Sequence, residues 1–198
     1  MQRQRCLLAT MTGEPFQPVR LYYLIPDRLF VISKLRTMKC MLDVPPERCW
    51  QWLFQGEAAA LDALFALAKK LSMSESDLKT FEPIPAAHAY CTYVAWLGMY
   101  GSDAELAGAF LVNLAAWGAN CGKMSKALQD RYGLTKEEVA FFELFSQIPP
   151  PEKQILEVIQ GALDRGLEPA LIHRAARLLQ VYELMFWDAM AEAAGMHF

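Results

Sequence analysis

The chain has 198 residues, of which 54% are hydrophobic and 21% charged. That length suits one domain, spanning 1–198, with a substantial core and with apolar surface left over for contacts between subunits. A net charge of −3, a pI near 5.7 and the lack of any Lys/Arg stripe exclude nucleic acid as a partner on electrostatic grounds.

Helical spacing recurs along the chain and no segment keeps a period of two, so the expected fold class is all-α. A short helix is expected near 3–11, followed by helices near 18–42, kinked at Pro26, and 46–71. In the third, Leu61, Leu64, Phe65, Ala68 and Leu71 share a face that Asp62, Lys69 and Lys70 avoid. Ser74 and Asp77 have capping-box spacing before a helix near 75–81. Pro85 opens a helix near 86–99, which Gly101 ends; the next runs over 102–131 to Gly133. Thr135 and Glu138 repeat the capping-box spacing ahead of 136–147. A stiff Ile148-Pro149-Pro150-Pro151 connector leads to 151–165, and Gly166 and Pro169 separate that helix from the last, 169–195. Short connections between long helices imply antiparallel neighbours in a bundle.

Ile84 to Ser102 and Leu106 to Gly122 carry no charged residue. Pro85, His88, Asn113 and Asn120 interrupt them, and positive flanks are missing. Both are therefore expected to be helices buried all round at the bundle centre, not membrane spans. The five cysteines, Cys6, Cys40, Cys49, Cys91 and Cys121, are odd in number and form no CxxC pair. The apolar run at the start is too short for a secretory signal, so free thiols in the cytoplasm are expected.

The informative residues break the binary pattern. Glu183 has Leu179, Phe186, Trp187 and Met190 as helical neighbours and is aimed at the core. A buried carboxylate must be paired, hydrogen-bonded or protonated. It is either a group for proton transfer or a structural carboxylate bound to a neighbouring Tyr, Trp or Arg. Asp27 stands similarly among Tyr23, Leu24, Phe30 and Val31, though an Asp beside Pro26 also suits a cap. Asn113 lies among Leu106, Ala109, Phe110, Ala116 and Trp117, where its amide either reads a ligand's polar edge or bridges helices. Tyr90 fits the core, with a hydroxyl that needs a partner. His88, His173 and His197 are scattered and no ExxH occurs, so neither a metal nor a cofactor is expected. There is no phosphate loop and no GxSxG elbow.

At these positions the chain resembles the TenA/thiaminase II family, which has the haem-oxygenase-like helical fold. The resemblance rests on Phe81-Glu82-Pro83-Ile84-Pro85 followed by Tyr90, on Tyr182-Glu183-Leu184-Met185-Phe186-Trp187, and on Tyr22, Tyr23 and Asp27. It covers roughly residues 20 to 195. It implies hydrolysis of thiamin or aminopyrimidine compounds in thiamin salvage, and a homo-oligomer, dimer or tetramer. By the same resemblance Asp27 holds the pyrimidine and Glu183 shuttles protons. Phe30, Tyr90, Asn113 and Trp117 complete the substrate site.

The chain departs from the family where its nucleophilic cysteine belongs. Asn113 stands there, and Trp117 replaces a tyrosine one turn on. An amide is not that nucleophile. Cys121 lies eight residues further, about 80° round the helix, and Cys91 neighbours Tyr90. The expected function is therefore a hydrolase working without the usual cysteine. The alternative is a non-catalytic binding protein for a pyrimidine-like molecule. An oxidase like the pyrroloquinoline quinone synthesis enzyme would need histidines that are too scattered here.

Overall fold

Pro85 occupies the first turn of helix α1 (Pro85–Tyr100), where its missing N–H leaves no hydrogen bond unmade. The computed structural model describes residues 59–193 except 61, 72, 73, 75–83, 148 and 150. After α1 come α2 (Asp103–Tyr132), α3 (Ala140–Gln147), α4 (Glu152–Asp164) and α5 (Pro169–Ala193), and residues 62–70 are helical as well. Among the described residues there is no strand, so the fold is all-α as expected. Asp27, Phe30, the helices expected before residue 59 and Asp77, the capping partner expected for Ser74, lie outside the described residues.

The thirty-residue α2 is the hub, packing against α1, α3, α4 and α5, while α1 and α5 also pack on each other. Its start is fixed by a reciprocal capping box: the Glu105 backbone N–H donates to Ser102 Oγ at 3.2 Å, and the Ser102 N–H donates to Glu105 Oε2 at 2.9 Å. Its end is fixed by Gly133 at φ 66°, in the left-handed region that a side chain disfavours. The Thr135 and Glu138 pair forms the capping-box bonds expected of it, at 2.9 and 3.3 Å. Regular helix nevertheless begins only at Ala140, after a turn over 136–139.

Burial corrects one expectation. Residues 104–110 of α2 are buried in unbroken succession, but beyond them positions 112, 115, 119, 123 and 126 form an exposed stripe. Helix α1 buries only Ala87, Tyr90, Val94 and Leu97, a single face at spacings of three and four. Its other side carries exposed Trp96, Met99 and Tyr100. A lack of charge in the sequence therefore marks an apolar helix, not one surrounded on every side. No helix among the described residues is long and apolar enough to cross a membrane.

Close approach of α3 to α2 depends on Gly118, where a Cβ would stand 2.5 Å from the Phe145 carbonyl oxygen. Buried Ser125 ties the same helices together by donating to the Glu143 carboxylate. Fully buried Leu64, Leu67, Leu97, Leu128 and Leu179 fill the core. Each contributes about 1.5–3 kcal/mol relative to exposure.

Candidate functional site

Helices α1, α2 and α5 bring their pattern-breaking polar residues to one point in the core. Glu183 on α5 has no solvent exposure, and Asn113 on α2 is 1% exposed. Asn113 Nδ2 donates to Glu183 Oε2 at 2.8 Å, and Trp187 Nε1, one turn on from Glu183, donates to Oε1 at 3.0 Å. Two longer bonds add to these, from Asn120 Nδ2 to Oε1 and from Gln180 Nε2 to Oε2, both at 3.3 Å. Asn120 follows Asn113 by two helical turns, so both amides leave the same face of α2.

At least four N–H donors reach the two oxygens. Indole nitrogen only donates, and an ionised carboxylate only accepts. Their mutual satisfaction favours the carboxylate form, which lets Glu183 remain in the interior without solvent. The carboxylate in turn orients the Asn113 amide. With Nδ2 facing Glu183, Oδ1 faces Tyr90, whose hydroxyl donates to it at 2.7 Å. The result is a directed chain, Tyr90 to Asn113 to Glu183, linking α1, α2 and α5. Of the two sequence alternatives for Asn113, the structure shows the helix bridge, and the group it bridges to is the glutamate.

Aromatic rings enclose this chain. Tyr90 stacks on Trp117 with centroids 5.9 Å apart and planes 11° from parallel. Phe186 lies 6.1 Å from Tyr90 and 5.7 Å from Trp117, and Trp187 lies 5.3 Å from Trp117. Phe145 of α3 meets Trp117 edge-on at 6.0 Å. Of the site residues expected from sequence, Tyr90, Asn113, Trp117 and Glu183 come together; Asp27 and Phe30 lie outside the described residues.

Asn120 and Gln180 belong to the site although the sequence argument gave them no role there, while Trp187 is the neighbouring Trp of the structural alternative for Glu183. Their signal was present as spacing: Gln180 and Trp187 stand three before and four after Glu183, and Asn120 seven after Asn113. Cys121 is fully buried, and burial together with the nearby Glu183 charge pushes its thiol well up. It is held as a thiol, the form that is neither nucleophile nor metal ligand. Cys91 on α1 is half-buried. Among the described residues no cluster of three or more His, Cys, Asp or Glu could hold a metal.

The model of the TENA/THI-4/PQQC family matches residues 53–193, well over half of the chain. A solved structure is similar across nearly the whole length of this chain: a domain of unknown function with a haem-oxygenase-like fold from Shewanella denitrificans OS217. The TM-score is 0.63 and the identity 14%, with 98% of this chain and 79% of that one covered. At that identity the likeness shows the fold, which is haem-oxygenase-like. No curated protein matches the sequence.

Proposed function

The chain belongs to the TENA/THI-4/PQQC family, and on that premise we propose that it is a thiaminase-II-type hydrolase of thiamin or aminopyrimidine compounds that works without a nucleophilic cysteine. One observation carries this reading: Asn113, on the central helix, donates to the buried Glu183 carboxylate at 2.8 Å. The chemistry is direct attack by water. Glu183 takes a proton as the water oxygen bonds to the substrate carbon. The C–N bond breaks, and the same proton is returned to the departing amine, or released to solvent when the leaving group is the neutral thiazole of thiamin. Two of the bonds to Glu183, from Asn120 and Gln180, are long at 3.3 Å, and in this reading they are the ones exchanged for a ligand or water. Tyr90, Trp117 and Asn113 bind the planar ring by stacking and by an amide edge, and Asp27 and Phe30 join them. No metal or cofactor takes part. The setting we propose is thiamin salvage in the cytoplasm, with the protein acting as a homo-oligomer.

A second reading has a specific observation in its favour. Each Glu183 oxygen already accepts two protein N–H groups. A carboxylate so occupied orients Asn113 for recognition alone, and the protein is then a binding protein for a pyrimidine-like molecule.

A single-turnover assay separates the two. Excess protein is mixed with aminopyrimidine, and separately with thiamin, and the hydrolysed pyrimidine is followed by chromatography. Product that disappears in Glu183→Gln supports the hydrolase. Calorimetric binding without turnover supports the second reading. Neither turnover nor binding defeats both.

A further inference from the structure

Glu183 has no solvent exposure, so a ligand reaches it only if a neighbouring group gives way. Its donors differ in what holds them. Trp187 is buried, with its ring 5.3 Å from both Trp117 and Phe186, and cannot turn without breaking that packing. Asn113 is held at both ends, by Glu183 and by the Tyr90 hydroxyl. Asn120 makes a long bond, but its short side chain is buried on α2.

Gln180 is held differently. Its bond to Oε2 is 3.3 Å, past the usual N–H···O length, on an oxygen that Asn113 already serves at 2.8 Å. Of these four donors it alone is partly exposed. It also stands at the margin of α5. By the 3.6-residue period it lies about 60° round the helix from buried Glu183 and about 60° the other way from exposed Arg177. Ala176 and Leu184, one turn to either side, are partly buried as well, so the margin continues past it along the helix. A long unbranched amide at such a margin can turn outward without disturbing the core.

We infer that Gln180 is the gate of the site: its amide caps Glu183 Oε2 while the site is empty and swings toward solvent to admit a ligand, with Oε1 held meanwhile by Trp187 and Asn120. The two oxygens thus take different parts. Oε1 anchors the carboxylate, and Oε2 meets the incoming ligand or water beside the Asn113 amide. This rests on the reading that Glu183 meets a pyrimidine-like ligand, and it applies to the hydrolase and to the binding protein alike. Such a gate competes with the ligand. Only the fraction of molecules with Gln180 turned outward can bind, and the apparent dissociation constant is raised by the inverse of that fraction. A donor that merely braced the site would act the other way, because its loss would loosen the bound state.

Stopped-flow tryptophan fluorescence of the full chain tests this, with Trp117 and Trp187 as reporters. The probe is the hydrolysed pyrimidine, a product that turns over no further. Gln180→Ala should lower its dissociation constant about three- to tenfold, through faster association at an unchanged dissociation rate. Gln180→Met, of similar length but without the N–H, should show the same gain. Asn120→Ala should instead raise the constant, through faster dissociation. Alanine and methionine are good helix formers and position 180 is partly exposed, so both variants should fold, which circular dichroism checks. A dissociation constant unchanged or raised in folded Gln180→Ala overturns the gate and leaves the functional reading standing. A wild type that does not bind the pyrimidine overturns both. Tighter binding in Gln180→Ala, with no turnover of aminopyrimidine or thiamin by the wild type, upholds the gate and assigns it to a binding protein.

Discussion

Asn113 and Glu183, seventy residues apart in the chain, are joined at 2.8 Å in the core, with the amide donating and the carboxylate accepting. That direction fixes the rest of the site. It turns the Asn113 carbonyl oxygen toward the Tyr90 hydroxyl, and it places a negative charge beside Cys121.

Replacing Asn113 with Asp sets two carboxyl groups against each other in a space without solvent. One of them must hold a proton, so the pair has one acidity constant raised. A carboxyl whose pKa is raised on folding stabilises the fold below its unfolded pKa and loses that contribution as pH rises through the folded one. Asn113→Asp should therefore be destabilised by about 2–4 kcal/mol near neutral pH, with part of the loss recovered on acidification. Urea unfolding at several pH values measures this.

Glu183→Gln keeps the shape but replaces an acceptor with an NH2 donor facing donors. It should cost about 1–3 kcal/mol, and under the hydrolase reading it should lower kcat by at least about a hundredfold. Turnover at the wild-type rate in a folded Glu183→Gln protein would remove the glutamate from the mechanism.

Cys121 gives a prediction at alkaline pH. Its thiol is pushed well up, first by burial and then by the Glu183 charge. A group with a raised folded pKa binds its proton more tightly in the native state. Stability is then full below the pKa of the unfolded thiol and declines as pH climbs from there toward the folded value. The decline should be flatter in Cys121→Ala. In the native protein a thiol reagent should modify Cys91 well before Cys121, as peptide mass mapping would reveal.

Gly118→Ala brings a methyl group to 2.5 Å from the Phe145 carbonyl oxygen. Backbone must shift, so α3 should be pushed off α2 at a cost of about 1–3 kcal/mol. Phe145 rests edge-on against Trp117, so ligand affinity should fall together with the melting temperature. A fall in melting temperature with unchanged affinity would separate α3 from the site.

Tyr90→Phe removes the hydroxyl that donates to Asn113 at 2.7 Å and leaves the stacking surface in place. The expected cost is about 1 kcal/mol in stability. Ligand affinity should weaken with it, because Asn113 is then oriented from one side only. Calorimetry on the folded variant measures both.

What was legible in the sequence was whatever a single helix decides for itself. The spacing of apolar residues gives helix and core face, and Pro85, Pro169, Gly101 and Gly133 give ends that agree with the structure within a residue or so. By the same local logic Glu183, surrounded by Leu179, Phe186 and Trp187, had to point inward, and it has no solvent exposure. What the tertiary structure decided was which groups meet. Asn120 looked like one polar interruption of an apolar run, and becomes a partner of Glu183 only because α5 crosses α2 at that height. Likewise the charge-free stretch on α1 gave no hint that Trp96 and Tyr100 would remain exposed. The pattern within a helix follows from its 3.6-residue repeat, whereas the match between helices depends on crossing angle and on small residues such as Gly118 that permit contact, and no local periodicity encodes either.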